Sequence, residues 1–169
     1  MSAICGVIRF DGADVAPRTI KAMAHAMKHR GVDGVETVEL GRLAFGHCLM
    51  RVNHEDMHEA QPIVARDAVL IADLRLDNRE DLAVTLGIAD ADLAALCDSE
   101  LLLAAWRHWG DDCARHLVGD FAFAIWDRAK GTLLLGRDHM GQRIVFYHRG
   151  DGFLAFATEL GGLFAAEGV

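Results

Sequence analysis

The first ten residues, MSAICGVIRF, hold two candidate nucleophiles, Ser2 and Cys5. A hydroxyl or thiol reacts when a base adjoins it, and a chain's own α-amino group is such a base. Met before a small residue such as Ser is usually trimmed, which would give Ser2 that amine. Cys5 sits instead inside an apolar run from Ala3 to Ile8. The remaining cysteines, Cys48, Cys97 and Cys113, form no CxxC pair, so neither a zinc site nor a disulfide framework is indicated. Buried free thiols are the expectation. None of the nine histidines falls into a metal-binding or triad spacing, and no metal is expected.

The elements that must position these residues follow from pattern. AICGVIRF (3–10) reads as a buried strand ended by the turn signal Asp11-Gly12. Pro17 suits the first turn of a helix, where Ile20, Met23, Ala24 and Met27 recur at helical spacing, and Gly31 suits a left-handed end to it. Strands are expected at VETVEL (35–40), RLAFGHC (42–48) and AVLIAD (68–73), with the polar loop NHEDMHEAQP (53–62) before the last. A short helix fits NREDLAVTL (78–86). A stronger one, capped by Asp98 or Ser99, carries Leu101, Leu102, Ala105, Trp106 and Trp109 on one face. A third helix spans about Asp111 to Leu117 and closes at Gly119. FAFAIW (121–126), TLLLG (132–136), IVFYH (144–148) and FLAFA (153–157) are near-continuously apolar, as in strands covered on both faces. Hairpin-joined sheets with a few helices predict an α+β domain of layered, mostly antiparallel sheets.

Bulk composition agrees with one packed domain. The chain has 169 residues, 52% of them hydrophobic, enough to bury a core and too many for a disordered chain. A formal net charge of −8 without a basic run argues against nucleic acid or an anionic membrane as partner. No stretch approaches the roughly 20 apolar residues that span a bilayer. The start lacks a secretory signal pattern, so a cytoplasmic location is expected.

An ordered series of segments resembles a known family. MSAICGV, MKHRGVDG (27–34), FGH (45–47), QP (61–62), DNREDL (77–82), DSELLLAAWRHWGDDC (98–113), LVGDFAFAIWD (117–127), GRDHMGQ (136–142) and FATEL (156–160) occur in the order of the amino-terminal glutaminase domain of asparagine synthetases. These are class II glutamine amidotransferases. The resemblance covers essentially residues 1–169 and implies a four-layer αββα fold of the N-terminal-nucleophile hydrolase type. It also implies a mechanism in which an amino-terminal Cys attacks the side-chain amide of glutamine with its α-amino group as base. An amine of pKa near 8 is well matched to that proton transfer. Ammonia then passes to an ATP-using synthetase domain.

Carried over residue by residue, the resemblance implies a depleted site. Register against Gly6 puts Ser2 at the nucleophile position and leaves Cys5 as a core thiol. The Arg that grips the glutamine carboxylate falls on Leu49, with Arg51 two residues on and expected to face the same side of a strand. In DLRLDN (73–78), Asp73 stands for the oxyanion-binding Asn, Leu74 for the Gly, and Arg75 for the Glu that binds the substrate amine. A carboxylate has no N–H to offer an oxyanion, and losing one such donor typically costs about 10²–10³ in rate. Asp98 matches the second amine-binding acid, with an N-cap as its structural alternative. Asn78, Arg137, Asp138 and Glu159 match positions that support the fold.

Two functions follow. The favoured one is a degenerate glutaminase domain kept as a structural or docking domain for an ATP-dependent amide-forming synthetase. The DLRLDNREDL segment resembles the corresponding domains of β-lactam synthetases and lasso-peptide cyclases, which need no ammonia. The alternative is an active glutaminase that supplies ammonia for asparagine formation with Ser2 as nucleophile. No Ser-Gly-Gly-x-Asp-Ser pyrophosphate loop occurs, so ATP and Mg would belong to a synthetase domain absent from this chain. Expected partners are that domain, in cis or in trans, with glutamine and a homodimer left open.

Overall fold

The computed structural model describes residues 1–169 and divides into two compact units, Met1–Met50 with Ile144–Val169, and Arg51–Arg143. The first holds a five-stranded antiparallel sheet in the order β2 (Gly34–Leu40), β3 (Leu43–Leu49), β1 (Ala3–Arg9), β9 (Phe153–Ala157) and β8 (Phe146–Gly150). Its helices are α1 (Pro17–Ala26) and α5 (Leu160–Phe164). Period-two alternation sends Ala3, Cys5 and Val7 into a core with Ile20, Met23, Ala24 and Met27 of the α1 region. Ile4, Gly6 and Ile8 take the opposite face. There Gly6 is the register partner of both Phe45 and Phe156, whose rings meet edge-on at 5.6 Å. A Cβ on Gly6 would lie 2.5 Å from Phe45 and 2.6 Å from Phe156, so only glycine lets the rings close.

The second unit holds a four-stranded antiparallel sheet, β4 (Ile63–Val64), β5 (Ala68–Leu76), β6 (Gly119–Asp127) and β7 (Thr132–Arg137), in that order. Its helices are α2 (Arg79–Leu86), α3 (Asp90–Leu93) and α4 (Asp98–Trp109). Ala68, Leu70, Ala72 and Leu76 of β5 and Phe121, Phe123 and Ile125 of β6 form a core with Leu101, Leu102 and Ala105 of α4. Full burial of each such leucine stabilises by about 1.5–3 kcal/mol. Val69, Ile71 and Asp73 lie on the other face of β5 and are also buried. No helix is long and apolar enough to cross a membrane.

Several local expectations are corrected. Helix α1 stops at Ala26, and a 3₁₀ turn, Lys28–Arg30, leads into Gly31 at φ −106°, which is not left-handed. Glycine is required there for space: a Cβ would come 2.8 Å from the Gly34 carbonyl oxygen and 2.9 Å from the Cys48 Cβ. Helix α4 is capped by Cys97, not by Asp98 or Ser99, in a reciprocal box with Glu100. The segment after it is a 3₁₀ helix, Gly110–His116, and Gly119 already belongs to β6. Strand β8 begins two residues late, at Phe146, because its pairing runs from Phe146 opposite Ala157 to Gly150 opposite Phe153. It is also half exposed, as is β7, whereas β6 is buried from Phe121 to Trp126.

Candidate functional site

In the first unit Ser2 lies just before β1 and is 8% exposed. Its Oγ accepts the Met50 N–H at 3.0 Å, and the hydroxyl faces the Met50 carbonyl oxygen at 3.4 Å. Both polar functions of the hydroxyl therefore meet the chain just past the end of β3. With Met1 attached, the Ser2 nitrogen is a peptide amide and carries no basic lone pair. The Met1 ammonium lies 2.8 Å from the Met50 Sδ.

Cys5 is the core thiol expected of it. It is fully buried, its Sγ faces the Gly46 carbonyl, and burial pushes its pKa well above the ordinary thiol value, with Cys48 adding to the shift. Cys48, Cys97 and Cys113 are likewise free and buried; burial raises them to about 11, about 12 and about 11. Thiols held neutral in this way are poor nucleophiles. Leu49 is the last residue of β3, opposite Gly34. Arg51 lies beyond the strand, exposed, with its Nε donating to the Asp56 carbonyl at 3.3 Å. The expectation that it shares a strand face with Leu49 fails because β3 ends first.

The second unit carries the residues of β5. Asp73 is 4% exposed, and the guanidinium of Arg143 stands 3.7 Å from its Oδ2. The Arg143 backbone is fixed by its own N–H, which donates to the Asp138 carboxylate at 2.9 Å, beside the Gln142 N–H at 2.8 Å. Burial opposes ionisation of Asp138, but these N–H donors outweigh it and hold the carboxyl below its ordinary range. No local sequence signal marks Arg143, because its approach to Asp73 depends on that turn.

Leu74 turns its side chain toward the helix-covered core. Its N–H points to the free edge of β5, since β4 pairs only with Val69 and Leu70. On either side the same edge is filled by side chains. The Gln61 amide makes a two-point bridge to Ala72, at 2.5 and 3.1 Å, and Asp98 accepts the Leu76 N–H at 2.7 Å. Arg75 is committed to Asp77 at 3.0 and 3.1 Å and to Asp120 at 3.5 Å.

Asp98 is 5% exposed, and both of its oxygens are engaged. One oxygen takes the Leu76 N–H, and the other pairs with Arg79, whose guanidinium also donates to the Leu93 and Leu96 carbonyls at 3.1 and 2.7 Å. Burial raises the Asp98 pKa even though Leu76 and Arg79 favour its ionised form. Arg79 stands in NREDL, where helix periodicity gives no hint that it turns inward. Asn78 bridges the His116 carbonyl and the Val118 N–H, each at 3.0 Å, and Glu159 pairs with Arg30 and His29. No group of three or more His, Cys, Asp or Glu side chains is placed to hold a metal ion.

Two antiparallel sheets, each with its own helices, and an opening strand preceded by Ser2 define a fold class. Glutamine phosphoribosylpyrophosphate amidotransferase from B. subtilis shares that fold, with a TM-score of 0.73 at 18% identity over 96% of this chain and 43% of its own. A second solved structure, an allosteric regulatory enzyme of purine biosynthesis, matches at 0.70 and 19% identity over 96% of this chain and 43% of its own. The N-terminal-nucleophile class expected from the sequence is thus the fold present. The chain belongs to the glutamine amidotransferase domain family, whose model matches residues 1–169. It is 28% identical to a putative asparagine synthetase (glutamine-hydrolyzing) of Methanocaldococcus jannaschii over 99% of this chain and 36% of the relative. It is also 28% identical to an asparagine synthetase (glutamine-hydrolyzing) of Bacillus subtilis over 98% of this chain and 28% of the relative. The chain thus spans about a third of the length of these curated relatives.

Proposed function

We propose that this glutamine amidotransferase domain no longer hydrolyses glutamine and acts as a structural or docking domain for an ATP-dependent, amide-forming synthetase domain of the β-lactam synthetase or lasso-peptide cyclase kind. The observation that carries the reading is the closure of Asp98. A carboxylate that is to hold a substrate ammonium must present an oxygen to it, and here both oxygens are already engaged, by Leu76 and Arg79, in a residue only 5% exposed. Three further features support it. Asp73 occupies the oxyanion position, Leu49 the carboxylate-gripping position, and Arg75 is paired with acids of its own unit.

A second reading is favoured by Ser2 alone. Its hydroxyl is held at 3.0 Å by the Met50 N–H, at the position where the family resemblance puts the nucleophile. Under this reading Met1 is removed, the freed amine takes the hydroxyl proton, and ammonia is released for asparagine formation.

The test is glutamate release from glutamine by protein whose amino terminus has been identified by mass spectrometry. No glutamate above background is expected, with Ser2→Ala indistinguishable from the parent. Turnover that is lost in Ser2→Ala and kept in Cys5→Ala would establish the second reading instead.

A further inference from the structure

Residues 51–60 cross the second unit before β4, and Glu59 alone among them is buried, at 8% exposure. Val52 and Met57, the apolar residues that could have anchored the segment, are 67% and 58% exposed. The segment is thus fastened by a carboxyl group where a hydrophobic contact would be ordinary. The Ser99 hydroxyl, itself fully buried near the start of α4, donates to Glu59. At its leading end the segment is folded on itself, with Asp56 accepting the Val52 and Asn53 N–H groups at 2.7 and 2.9 Å. Its trailing end is fixed by the bridge between Gln61 and Ala72. The stretch between these ties walls two clefts. His54, Glu55 and His58 line one of about 490 Å³, and His58 with Ala60 lines another of about 520 Å³.

We propose that residues 51–60 are a strap latched by the Glu59 carboxyl, closed while that group is protonated and released when it ionises. The inference concerns access to the two clefts and does not depend on whether glutamine is hydrolysed. A buried carboxylate pays a desolvation penalty that a neutral carboxylic acid avoids. Burial pushes the Glu59 pKa up; the Ser99, Gln61 and Cys97 hydrogen bonds oppose that push without cancelling it. No cation faces Glu59 to hold the ionised form. Cys97 is neutral, with its Sγ 3.3 Å from both Ser99 and Glu100, and Glu100 is itself acidic. Arg79, the nearest candidate on α2, is consumed by Asp98 and two carbonyls. Within the strap Glu55 and Asp56 add negative charge, and Glu80 and Asp90 do so across the first cleft, where His54 and His58 are the remaining titratable groups. Because the closed-state pKa is raised, the latch is fully present below the open-state value and is lost as pH rises through the closed-state value.

Hydrogen exchange followed by mass spectrometry on the full chain tests this, with rates corrected for the pH dependence of intrinsic exchange. Protection over residues 51–60 is expected to fall as pH rises above the open-state carboxyl value of about 4.3, by roughly tenfold for each unit by which burial raises the carboxyl. Glu59→Gln, which stays neutral, is expected to keep the strap protected throughout, and Glu59→Ala to leave it open throughout. Wild-type protection independent of pH would overturn the proposal, as would a strap that stays closed in Glu59→Ala. A fall retained in Glu59→Gln would assign the titration to another group of the strap or cleft and overturn it equally.

Discussion

Around β1 the side chains that meet are small or apolar, whereas around the last residues of β5 they are charged and face opposite charges. Gly6 lies between Phe45 and Phe156, and Gly31 is pressed against Gly34 and Cys48, so the first region is held by close approach. In the second, Asp98 answers Arg79, Arg143 approaches Asp73, and Arg75 answers Asp77 and Asp120. Packing and recognition can thus change separately. A sheet needs its glycines and aromatic rows to close, and any change there is felt at once. If the site takes no ligand, its polar groups can pair internally, as Asp98 does with Arg79 and Arg75 with Asp77.

If this division is right, the largest effect belongs to the charged region. Arg79→Met leaves Asp98 buried without its cation, and urea unfolding should register a loss of about 3–5 kcal/mol. A loss near zero would mean that Asp98 is held by Leu76 alone. Next comes the packed region. Gly6→Ala drives a methyl group into two rings and should cost about 1–3 kcal/mol, while Gly161→Ala, with nothing within 4 Å, should be neutral or slightly stabilising. Equal effects at the two glycines would erase the contrast.

Asp138→Asn should cost on the order of 1 kcal/mol at neutral pH by weakening the turn that sets Arg143. Since the Asp138 pKa is lowered on folding, its contribution is present above the unfolded value near about 3.9 and fades as pH falls through the folded one. The gap between wild type and variant should therefore close in acid, which a pH series of thermal melts would show. Smallest is Arg30→Gln, which removes a partly exposed partner of Glu159 and should change stability by about 0.2–1 kcal/mol, less at high salt.

Strand and helix positions were legible in the sequence wherever periodicity was strong, as in AICGVIRF, AVLIAD and the Leu101–Ala105 face. Ends were less so. Gly31 reads as a left-handed stop by type, yet its requirement comes from the Gly34 carbonyl and from Cys48 on β3, a close approach that residue type does not announce. Cys97 is an uncommon cap, and only the Glu100 side chain three residues on completes it. The short β4, α3 and α5 carry too few residues for a period to show. The positions of Ser2, Asp73, Leu74, Arg75 and Asp98 could be named from the ordered motifs. The motifs assign no role to Arg79, inside DNREDL, or to Arg143, one residue past GRDHMGQ, because each acts through a contact made across a turn or helix.

On the proposed reading Asp98, buried and engaged on both oxygens by Leu76 and Arg79, receives no amino-acid ligand. Titration of glutamine into the full chain, followed by calorimetry with Arg79→Met and Asp98→Asn in parallel, addresses it most directly. No saturable binding is predicted for wild type at millimolar glutamine. Saturable binding that disappears in Asp98→Asn would contradict the account, since it would show the carboxylate still receiving an ammonium despite Arg79.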